Sequence, residues 1–578
     1  MACASNSSNN SLGHVSDQNQ EFNIDIAKCS TGVSLFLLVL PFVLFHVKRF
    51  PIGATGAVLV GATLTILSQT ISQHEAYEVL GAPANVRTVC LLLGMMILAQ
   101  FFERELLAER LLAKILKEES TFAVYLLAVT SFDFLLSAVL TNDVACVALT
   151  PLILIHWSNR KGPESRNELS VLLLGIATSA NIGSSSTIFG NPQMALIASK
   201  TSHPLFDKSR LDMRRCIFYL WLPAVLCFSV NYVFLLAYSY MLKWTEGRRK
   251  ENRIPEGGRS QKNVDLTKEQ KQDTSTDSSK TAGELEPLPH DRATPSNLKK
   301  LNHIDPILVI PVMSPVLAEE SDHHQSFRID CPPDNWKKPY LMRSMSAISS
   351  IIAARKDKRE DDDWTPSNSK IFHAILCLGL LLIVILFLIS NEKLYFDMGL
   401  VPMGVAIIAI WSDALINTRS PQSVLRRVDW SVLLMFFGMF IWLYGLNKTN
   451  APRYLWSRLH VAEIMKPNSA ILSYLVFYAF ILICSNIFSN VPLTIIVLEL
   501  LLPCVNQLEL VLYLAWLSTI AGNLTLFGSV ANLIVAQKAL TTVGYHLGFF
   551  EYLRYGFVTT VVLSVLGMAV IYGLLQIS

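Results

Sequence analysis

Charged side chains are scarce in this sequence, because Asp, Glu, Lys and Arg make up only 16% of its 578 residues. A soluble domain carries about 25% charged residues, which keep its surface hydrated. Hydrophobic residues instead reach 52%. They come in blocks long enough to cross a bilayer, which takes roughly 17 to 25 residues. The composition therefore argues against a water-soluble globular protein and predicts a polytopic integral membrane protein.

Other features that particular functions require are also missing. The net charge is only +3, so nothing in it indicates a nucleic-acid partner. The ten cysteines are scattered singly, without a C-x-x-C pair or metal-ligand spacing, and we interpret them as free thiols. The sequence contains neither an H-E-x-x-H motif nor a Walker A motif. We therefore expect no enzyme activity, no metal or cofactor, and no direct use of ATP.

Two hydrophobic blocks are separated by a long polar segment. Residues 1–30 are polar, and their sequons suit an extracellular face. We expect a first membrane repeat over residues 31–242 and a second over residues 371–578. Residues 243–370 are rich in Lys, Glu, Asp, Ser and Pro, which predicts a largely disordered loop. Lys48 and Arg49, after the first apolar segment, place the first short loop in the cytoplasm by the positive-inside rule. Counting the crossings from there places residues 243–370 in the cytoplasm as well.

Polar residues interrupt the apolar segments of the first block. The tripeptide Thr-Asn-Asp at 141–143 divides the stretch 121–156, and the sequence NIGSSSTIFGNPQ at 181–193 divides the stretch 169–199. Glycines, a proline and a run of hydroxyl residues cannot continue a straight helix. Broken backbone is tolerated at membrane depth only where protein or a water-filled cavity surrounds it. We therefore predict a re-entrant hairpin followed by a broken helix.

The second block repeats this pattern. LTNDVACVALTPLIL (140–154) lines up with FSNVPLTIIVLELLL (488–502), and TIFGNPQ (187–193) lines up with TLFGSVA (525–531). Counting each hairpin as non-crossing gives five crossings in the first half, so the second half starts from the other side. We therefore predict an all-α membrane protein of two inverted repeats, the general plan of many secondary transporters. The basic loop that begins at Lys200 would then be extracellular, against the positive-inside rule.

Four polar clusters at matched positions of the two halves form the candidate substrate site. Helix N-termini that face a shared cavity offer N–H groups, and interrupted C-termini offer carbonyl groups. A single hydroxyl or amide usually only joins helices, but four matched clusters favour a binding function. The candidates are Thr141, Asn142, Ser489 and Asn490 at the hairpin tips, Asn181, Ser184, Ser185, Ser186, Thr187, Asn191 and Gln193 in the first broken helix, and Asn523, Thr525, Ser529 and Asn532 in the second.

Three acidic residues lie in these apolar segments. An ionisable group within the membrane is costly and indicates function by default. Asp143, at a hairpin tip, is the leading candidate for a proton carrier or cation ligand, although it could instead cap the helix that follows. Asp133 and Glu499 could equally serve in coupling or make structural hydrogen bonds.

Positive charge is missing from the candidate site. No Lys or Arg lies in 120–155, 168–199 or 510–537. Amides and hydroxyls alone suit a small polyhydroxylated or weakly acidic solute. An anion is the alternative, because helix N-termini and a bound cation can supply a positive field.

The motifs LTNDVACVALTPLIL, SANIGSSSTIFGNPQMALIA and GNLTLFGSVANLIV resemble those of the ion-transporter superfamily. That group includes arsenite permeases, sodium/proton antiporters, the melanosomal P protein and dicarboxylate/sodium symporters. The stretch that ends in GNPQ, together with FPIGATGAVLVGA (50–62), looks closest to plant silicon-efflux transporters. The resemblance covers both membrane blocks but not residues 1–30 or 243–370.

The resemblance implies an elevator-type carrier whose hairpin tips hold the solute and the coupling ion. It implies proton-coupled export of silicic acid or arsenite, and a homodimer. The plasma membrane is the default expectation, because no targeting motif in the sequence decides the membrane. Val491 stands where the first half has Asp143, so any acidic function is asymmetric. A sodium/proton antiporter or a sodium-coupled anion carrier is one alternative, and a channel is the alternative of another class.

Overall fold

The computed structural model describes residues 26–44, 53–104, 112, 115–116, 120–158, 166–202, 208–251, 368–389, 397–461, 464, 471–501 and 508–577. Regular structure in these ranges is helical, and seven of the helices are long and apolar enough to cross a membrane. The predictions of an all-α protein and of membrane-spanning segments are therefore confirmed. Most of the predicted extracellular tail (1–30) and of the predicted cytoplasmic loop (243–370) lies outside the described residues.

The helices of the first block begin earlier and end later than the predicted repeat. Helix α1 begins at Ile26, inside the predicted polar tail, and α9 continues to Glu251. The described helices of the first block are α1 (Ile26–Leu44), α2 (Gly53–Leu67), α3 (Gln73–Gly81), α4 (Pro83–Arg104), α5 (Phe122–Val139), α6 (Asn142–Ser158), α7 (Arg166–Ser184), α8 (Pro192–Thr201) and α9 (Met213–Glu251).

The second block resumes at Asn368 and contributes the remaining helices. They are α10 (Asn368–Ile389), α11 (Leu400–Asn417), α12 (Gln422–Leu425), α13 (Trp430–Lys448), α14 (Ala451–Arg458), α15 (Ile471–Phe488), α16 (Asn490–Leu501), α17 (Leu508–Ile520), α18 (Val530–Val543) and α19 (Phe549–Ile577). The chain divides into two compact units, residues 1–239 with 310–578, and residues 240–309. Of the second unit, the structure describes only the end of α9.

Helix breaks occur at the polar interruptions of both blocks. Residues 140–141 separate α5 from α6, and residues 185–191 separate α7 from α8. Ser489, in a left-handed backbone conformation with φ of 70°, separates α15 from α16. A short 3-10 turn and residues 524–529 separate α17 from α18. The helices of the two hairpins differ in length. Helix α5, in the first hairpin, has 18 residues and can cross a bilayer alone, whereas α16, in the second, has only 12.

The helices that lead into the two longer breaks form the buried core. In α7 every residue from 169 to 184 is buried, and in α17 every residue from 510 to 520 is buried. Protein surrounds both segments completely, and the polar residues of α7, such as Ser179 and Asn181, are hydrogen-bonded within it. Glycine allows the closest approach, since a Cβ at Gly183 would stand 2.2 Å from the Phe134 carbonyl oxygen of α5. The two breaks therefore lie inside the protein, away from the lipid-facing surfaces.

Candidate functional site

Asn181, near the end of α7, is the centre of a buried amide cluster. Its Oδ1 accepts hydrogen bonds from Asn142 Nδ2 (2.9 Å) and from Ser529 Oγ (3.0 Å). Its Nδ2 donates to Asn523 Oδ1 (2.8 Å) and to Asn532 Oδ1 (3.0 Å). Asn181 thereby uses both donors and both lone pairs of its amide. The cluster joins two residues of the first block to three of the second.

One amide donor in this cluster has no acceptor. Asn523 is fully buried, and its Nδ2 has no hydrogen-bond partner among the described residues. An unpaired buried donor costs about 1–3 kcal/mol, so such groups are rare unless something else binds them. Among the described residues, this amide donor of the cluster is therefore left for a further hydrogen-bond partner.

A second contact crosses between the two blocks beside the first. Asn191 caps α8, where its Oδ1 accepts a hydrogen bond from Met194 N, and Pro192 opens the helix. Its Nδ2 donates to Thr519 Oγ1 of α17 over 3.2 Å, and it also reaches Ser184 Oγ over 3.1 Å. Asparagine suits this position because its carbonyl satisfies the helix N-terminus while its amide remains available to another helix.

The two cross-block contacts correspond to each other. In the register that aligns Thr187 with Thr525, Asn191 corresponds to Ser529, and Asn181 corresponds to Thr519. The Asn191–Thr519 and Ser529–Asn181 hydrogen bonds therefore join the same two positions with the blocks exchanged.

Contacts within each block also correspond. Thr187 Oγ1 donates to the Ala138 carbonyl over 2.6 Å, near the end of α5. Thr525 Oγ1 donates to Asn486 Oδ1 over 2.9 Å, near the end of α15. Positions 138 and 486 are aligned when Asn142 is aligned with Asn490. In each block, the threonine of the longer break is thus held by the first hairpin helix.

The remaining predicted residues lie near the breaks but differ in their contacts. Asn490 accepts a hydrogen bond from Ser485, and Asn142 N donates to the Gly190 carbonyl over 2.9 Å. Ser185 and Ser186 donate only to carbonyls of their own turn. Gln193 is buried, and Ser489 forms the hairpin tip itself.

Asp143 is a partly buried acid in the first turn of α6. It does not cap this helix, because Thr141 Oγ1 accepts from Val144 N over 3.2 Å and takes that role. The Asp143 carboxyl lies against the backbone N–H of Ala531 in α18, and its Oδ1 has no hydrogen-bond partner among the described residues. Asp143 therefore faces the second break, where it remains available to a cation or a proton.

Asp133 is the second acid of the first hairpin. It is fully buried in α5, where its Oδ2 accepts a hydrogen bond from Ser179 Oγ over 2.8 Å. Its Oδ1 has no partner in the described part of the chain. Cys146 lies within electrostatic reach of both Asp133 and Asp143. The positions that align with these two acids are Ile481 and Val491 in the second block, so both acids belong to one half.

Glu499 lies away from the cluster, in the last turn of α16. Its Oε1 pairs with Lys200 Nζ of α8 over 2.9 Å. Glu499 is thus one of two charges that neutralise each other between two helices. The partner lysine belongs to the basic segment that disagreed with the predicted orientation.

Sequence reasoning missed Thr519, Asn486, Ser179 and Lys200. Extending the alignment of the longer breaks by six residues would have paired Thr519 with Asn181. The alignment of the hairpins contains no signal for Ser179 or Lys200, whose partners are brought close only by the fold. Among the described residues, no group of three or more His, Cys, Asp or Glu could hold a metal ion.

Comparison with known proteins places this chain in a family. Residues 42–521 match the model of the CitMHS family, described as citrate transporter. The chain belongs to the CitMHS citrate transporter family. Because the proteins of this family are transporters and not enzymes, the chain is a membrane transporter, and the resemblance to the ion-transporter superfamily is confirmed.

Three relatives show how far the likeness extends. arsB of Dictyostelium discoideum, named as a transporter, is 27% identical over 91% of this chain and 88% of its own length. The silicon efflux transporter LSI3 of Oryza sativa subsp. japonica is 27% identical over 93% of this chain and 96% of its own. The human P protein is 26% identical over 39% of this chain and 30% of its own. Residues of both blocks thus fall within the likeness to the first two relatives.

Proposed function

We propose that this CitMHS family member is a secondary active transporter that exports a small inorganic hydroxy acid, silicic acid or arsenite, in exchange for protons. The observation that carries the proposal is the Asn181 cluster, where amides of both blocks meet beside the unpaired Asn523 Nδ2. The likeness to the silicon efflux transporter of Oryza sativa supports this solute class.

The solute class follows from the chemistry of the cluster. A hydroxyl oxygen of the solute accepts from Asn523 Nδ2, and its O–H groups donate to amide carbonyls in place of the hydrogen bonds that now join the asparagines. No Lys or Arg lies in the segments that form the cluster. Because an anion would lose its hydration without gaining a cationic partner, a neutral polyhydroxyl acid is favoured over a carboxylate.

Proton coupling is assigned to Asp143, with Asp133 as a second acid in the same block. Asp143 neighbours the solute cluster through Asn142, whose Oδ1 accepts from Asp143 N over 3.0 Å. A carboxylate that crosses the membrane interior with the moving part is costly unless it is neutralised by a proton or a cation. Protonation of Asp143 would remove that cost on one leg of the cycle. Cys146 and Asp429 are titratable groups within electrostatic reach of Asp143.

Inverted repeats and alternating access are part of the same proposal. The exchanged hydrogen bonds Asn191–Thr519 and Ser529–Asn181 support a two-fold relation, because such an axis brings the same two positions together twice. Broken helices that meet near the centre are typical of carriers in which one part moves against another. We propose an elevator-type movement, a homodimer, the plasma membrane, an extracellular N-terminus and a cytoplasmic loop over 243–370.

Reconstituted protein in liposomes with an internal pH-sensitive dye tests solute and coupling together. A proton gradient is imposed, and silicic acid, arsenite, sodium or citrate is offered one at a time. We expect proton movement that depends on silicic acid or arsenite and is abolished in Asp143→Asn. Asp212→Asn is the matched control, because Asp212 caps α9 by accepting from Arg215 N over 2.8 Å. Asparagine caps as well as aspartate does, so this variant should transport normally.

Other outcomes would replace the proposal. Proton movement with sodium alone indicates a sodium/proton antiporter, and citrate uptake that requires sodium indicates an anion carrier. Solute flux that persists in Asp143→Asn without proton movement contradicts the coupling role. Flux that is not accelerated by solute on the opposite side indicates a channel.

A further inference from the structure

A cavity of mixed lining, with Val79, Phe440 and Ile495 on its apolar side, lies at the far ends of two helices that begin at the candidate site. Helix α8 starts after Asn191 and α16 starts at Asn490, while Lys200 and Glu499 stand near their C-termini. A rise of about 1.5 Å per residue puts these ends roughly 15 Å from the breaks. The cavity encloses about 200 Å³. We call it the vestibule, and its polar lining residues are Asn85, Lys200, Tyr444, Asn447, Lys448 and Glu499.

Asn85 brings an unpaired acceptor to the vestibule. It is only 3% exposed, and its Nδ2 donates to the Val79 carbonyl over 2.7 Å. That bond fixes which amide atom is oxygen, and this Oδ1 has no donor among the described residues. Buried carbonyl oxygens are nearly always hydrogen-bonded, so a donor to Asn85 Oδ1 beyond the described residues is expected.

Two ammonium groups bring donors to the same space. Lys200 Nζ pairs with Glu499 over 2.9 Å, and Lys448 Nζ pairs with Glu75 of α3. Each ammonium has three donors, and each ion pair occupies one of them. Each ammonium is balanced by one carboxylate, so the wall offers the N–H groups that the two ion pairs leave over and no net positive charge. This wall combines donors for negatively charged oxygens with an acceptor for a hydroxyl group.

We propose that the vestibule is a second binding site, which takes a small oxyanion that keeps at least one hydroxyl group. Lys200 and Lys448 hold its charged oxygens, and its hydroxyl donates to Asn85 Oδ1. The site is distinct from the Asn181 cluster in position and in chemistry, since that cluster contains no cation. The inference therefore does not depend on which solute the cluster transports.

Phosphate and sulfate are the matched probes. They are similar in size, but near pH 7.5 phosphate retains a hydroxyl group and sulfate does not. We expect inorganic phosphate to bind the purified full-length chain at least about tenfold more tightly than sulfate, because sulfate leaves Asn85 Oδ1 unpaired. Calorimetry in detergent free of phospholipid measures binding of the free ion. Nanodiscs that contain phosphatidic acid then show whether a lipid headgroup competes for the site.

One substitution that removes a positive charge and one that removes a negative charge distinguish a binding role from a structural role. Lys200→Gln should weaken phosphate binding about tenfold or more, whereas Glu499→Gln should strengthen it by releasing the ammonium. Asn85→Leu should remove the preference for phosphate over sulfate. If both members of the ion pair were only structural, both substitutions would lower thermal stability and neither would change affinity in this pattern.

A control variant keeps this inference separate from the proposed function. Asn181→Ala disrupts the central cluster and should leave phosphate affinity unchanged. Equal binding of phosphate and sulfate in the wild type, or loss of phosphate binding in Glu499→Gln, would overturn the proposal. If Lys200→Gln does not fold, Glu499→Gln and Asn85→Leu still decide it, because their expected effects differ in kind.

Discussion

Asn191 of the first block donates its side-chain amide to Thr519 of the second block over 3.2 Å. The reverse contact, from Ser529 to Asn181, is made over 3.0 Å at the aligned positions. Chemically the two bonds differ, because the amide is the donor in the first and the hydroxyl is the donor in the second. Their equivalence lies in position, which makes it a property of the fold and not of one residue pair. It therefore offers a direct test of the two-fold relation between the blocks.

Double-mutant cycles should give similar coupling energies for these two contacts. Hydrogen bonds between membrane helices contribute about 0.6 kcal/mol on average and up to about 1.7. We expect Asn191→Ala with Thr519→Val, and Asn181→Ala with Ser529→Ala, to give coupling within about 0.5 kcal/mol of each other. Unfolding free energies in a bilayer mimetic measure this. Coupling at one contact and none at the other would contradict equivalent roles. Asn231 with Thr178, bonded over 2.9 Å, is the positive control.

Asn181→Ala should reduce transport by more than about tenfold. The substitution removes all four hydrogen bonds at the centre and leaves groups of both blocks unpaired. Asn231→Ala is the matched control, because Asn231 is also fully buried and also bonded, to Thr178 and Tyr555, outside the cluster. Initial rates of solute flux, corrected for the amount of folded protein, compare them. Equal losses in both variants would indicate that buried asparagines merely stabilise this protein.

The sequence predicted membrane helices and their breaks because both follow from local composition. Apolar runs must be helical in a bilayer, and Gly, Pro and clustered hydroxyls end them wherever they occur. The alignment of the blocks also identified Asn142, Asn181, Asn523 and Asn532, which the fold gathers. It did not predict that Ser529 contacts Asn181 whereas Glu499 contacts Lys200. Those partners are more than 290 residues apart in the chain, and only the packing of α7 against α18 and of α8 against α16 decides them.

The pH dependence of transport between pH 5 and 8 should not come from Glu75. Its hydrogen bond to Lys448 and the capping contacts with Ser72 lower the pKa of Glu75 to about 2. A lowered pKa means that its stabilising effect is complete above the ordinary value near 4.5 and is lost only as the pH falls towards 2. We expect Glu75→Gln to leave the midpoint of the pH profile unchanged. Asp143→Asn should change the profile in the same assay, and a shifted midpoint in Glu75→Gln would contradict this assignment.

Gly190→Ala and Gly528→Ala should both destabilise the protein, because each glycine lies where a broken helix folds back on itself. A Cβ at Gly190 would stand 2.1 Å from the Ser184 carbonyl oxygen, and one at Gly528 would stand 2.6 Å from Asn486 Oδ1 and 2.7 Å from the Gly522 carbonyl oxygen. Backbone carbonyls cannot yield as a flexible side chain can, so the break must open.

Gly404→Ala is the control for this prediction. Gly404 lies within α11 with no atom within 4 Å of its Cβ position, and alanine favours a helix over glycine by about 1 kcal/mol. We therefore expect a neutral or slightly raised melting temperature for Gly404→Ala and a drop of several degrees for the other two. Fluorescence-detected size-exclusion chromatography after heating measures all three. A larger loss at Gly190 than at Gly528 is expected, because the added Cβ would stand 2.1 Å from the nearest backbone carbonyl oxygen at Gly190 and 2.7 Å from it at Gly528. An unchanged melting temperature in Gly190→Ala would mean that the break at 185–191 is looser than the Asn142 N–H bond to the Gly190 carbonyl requires.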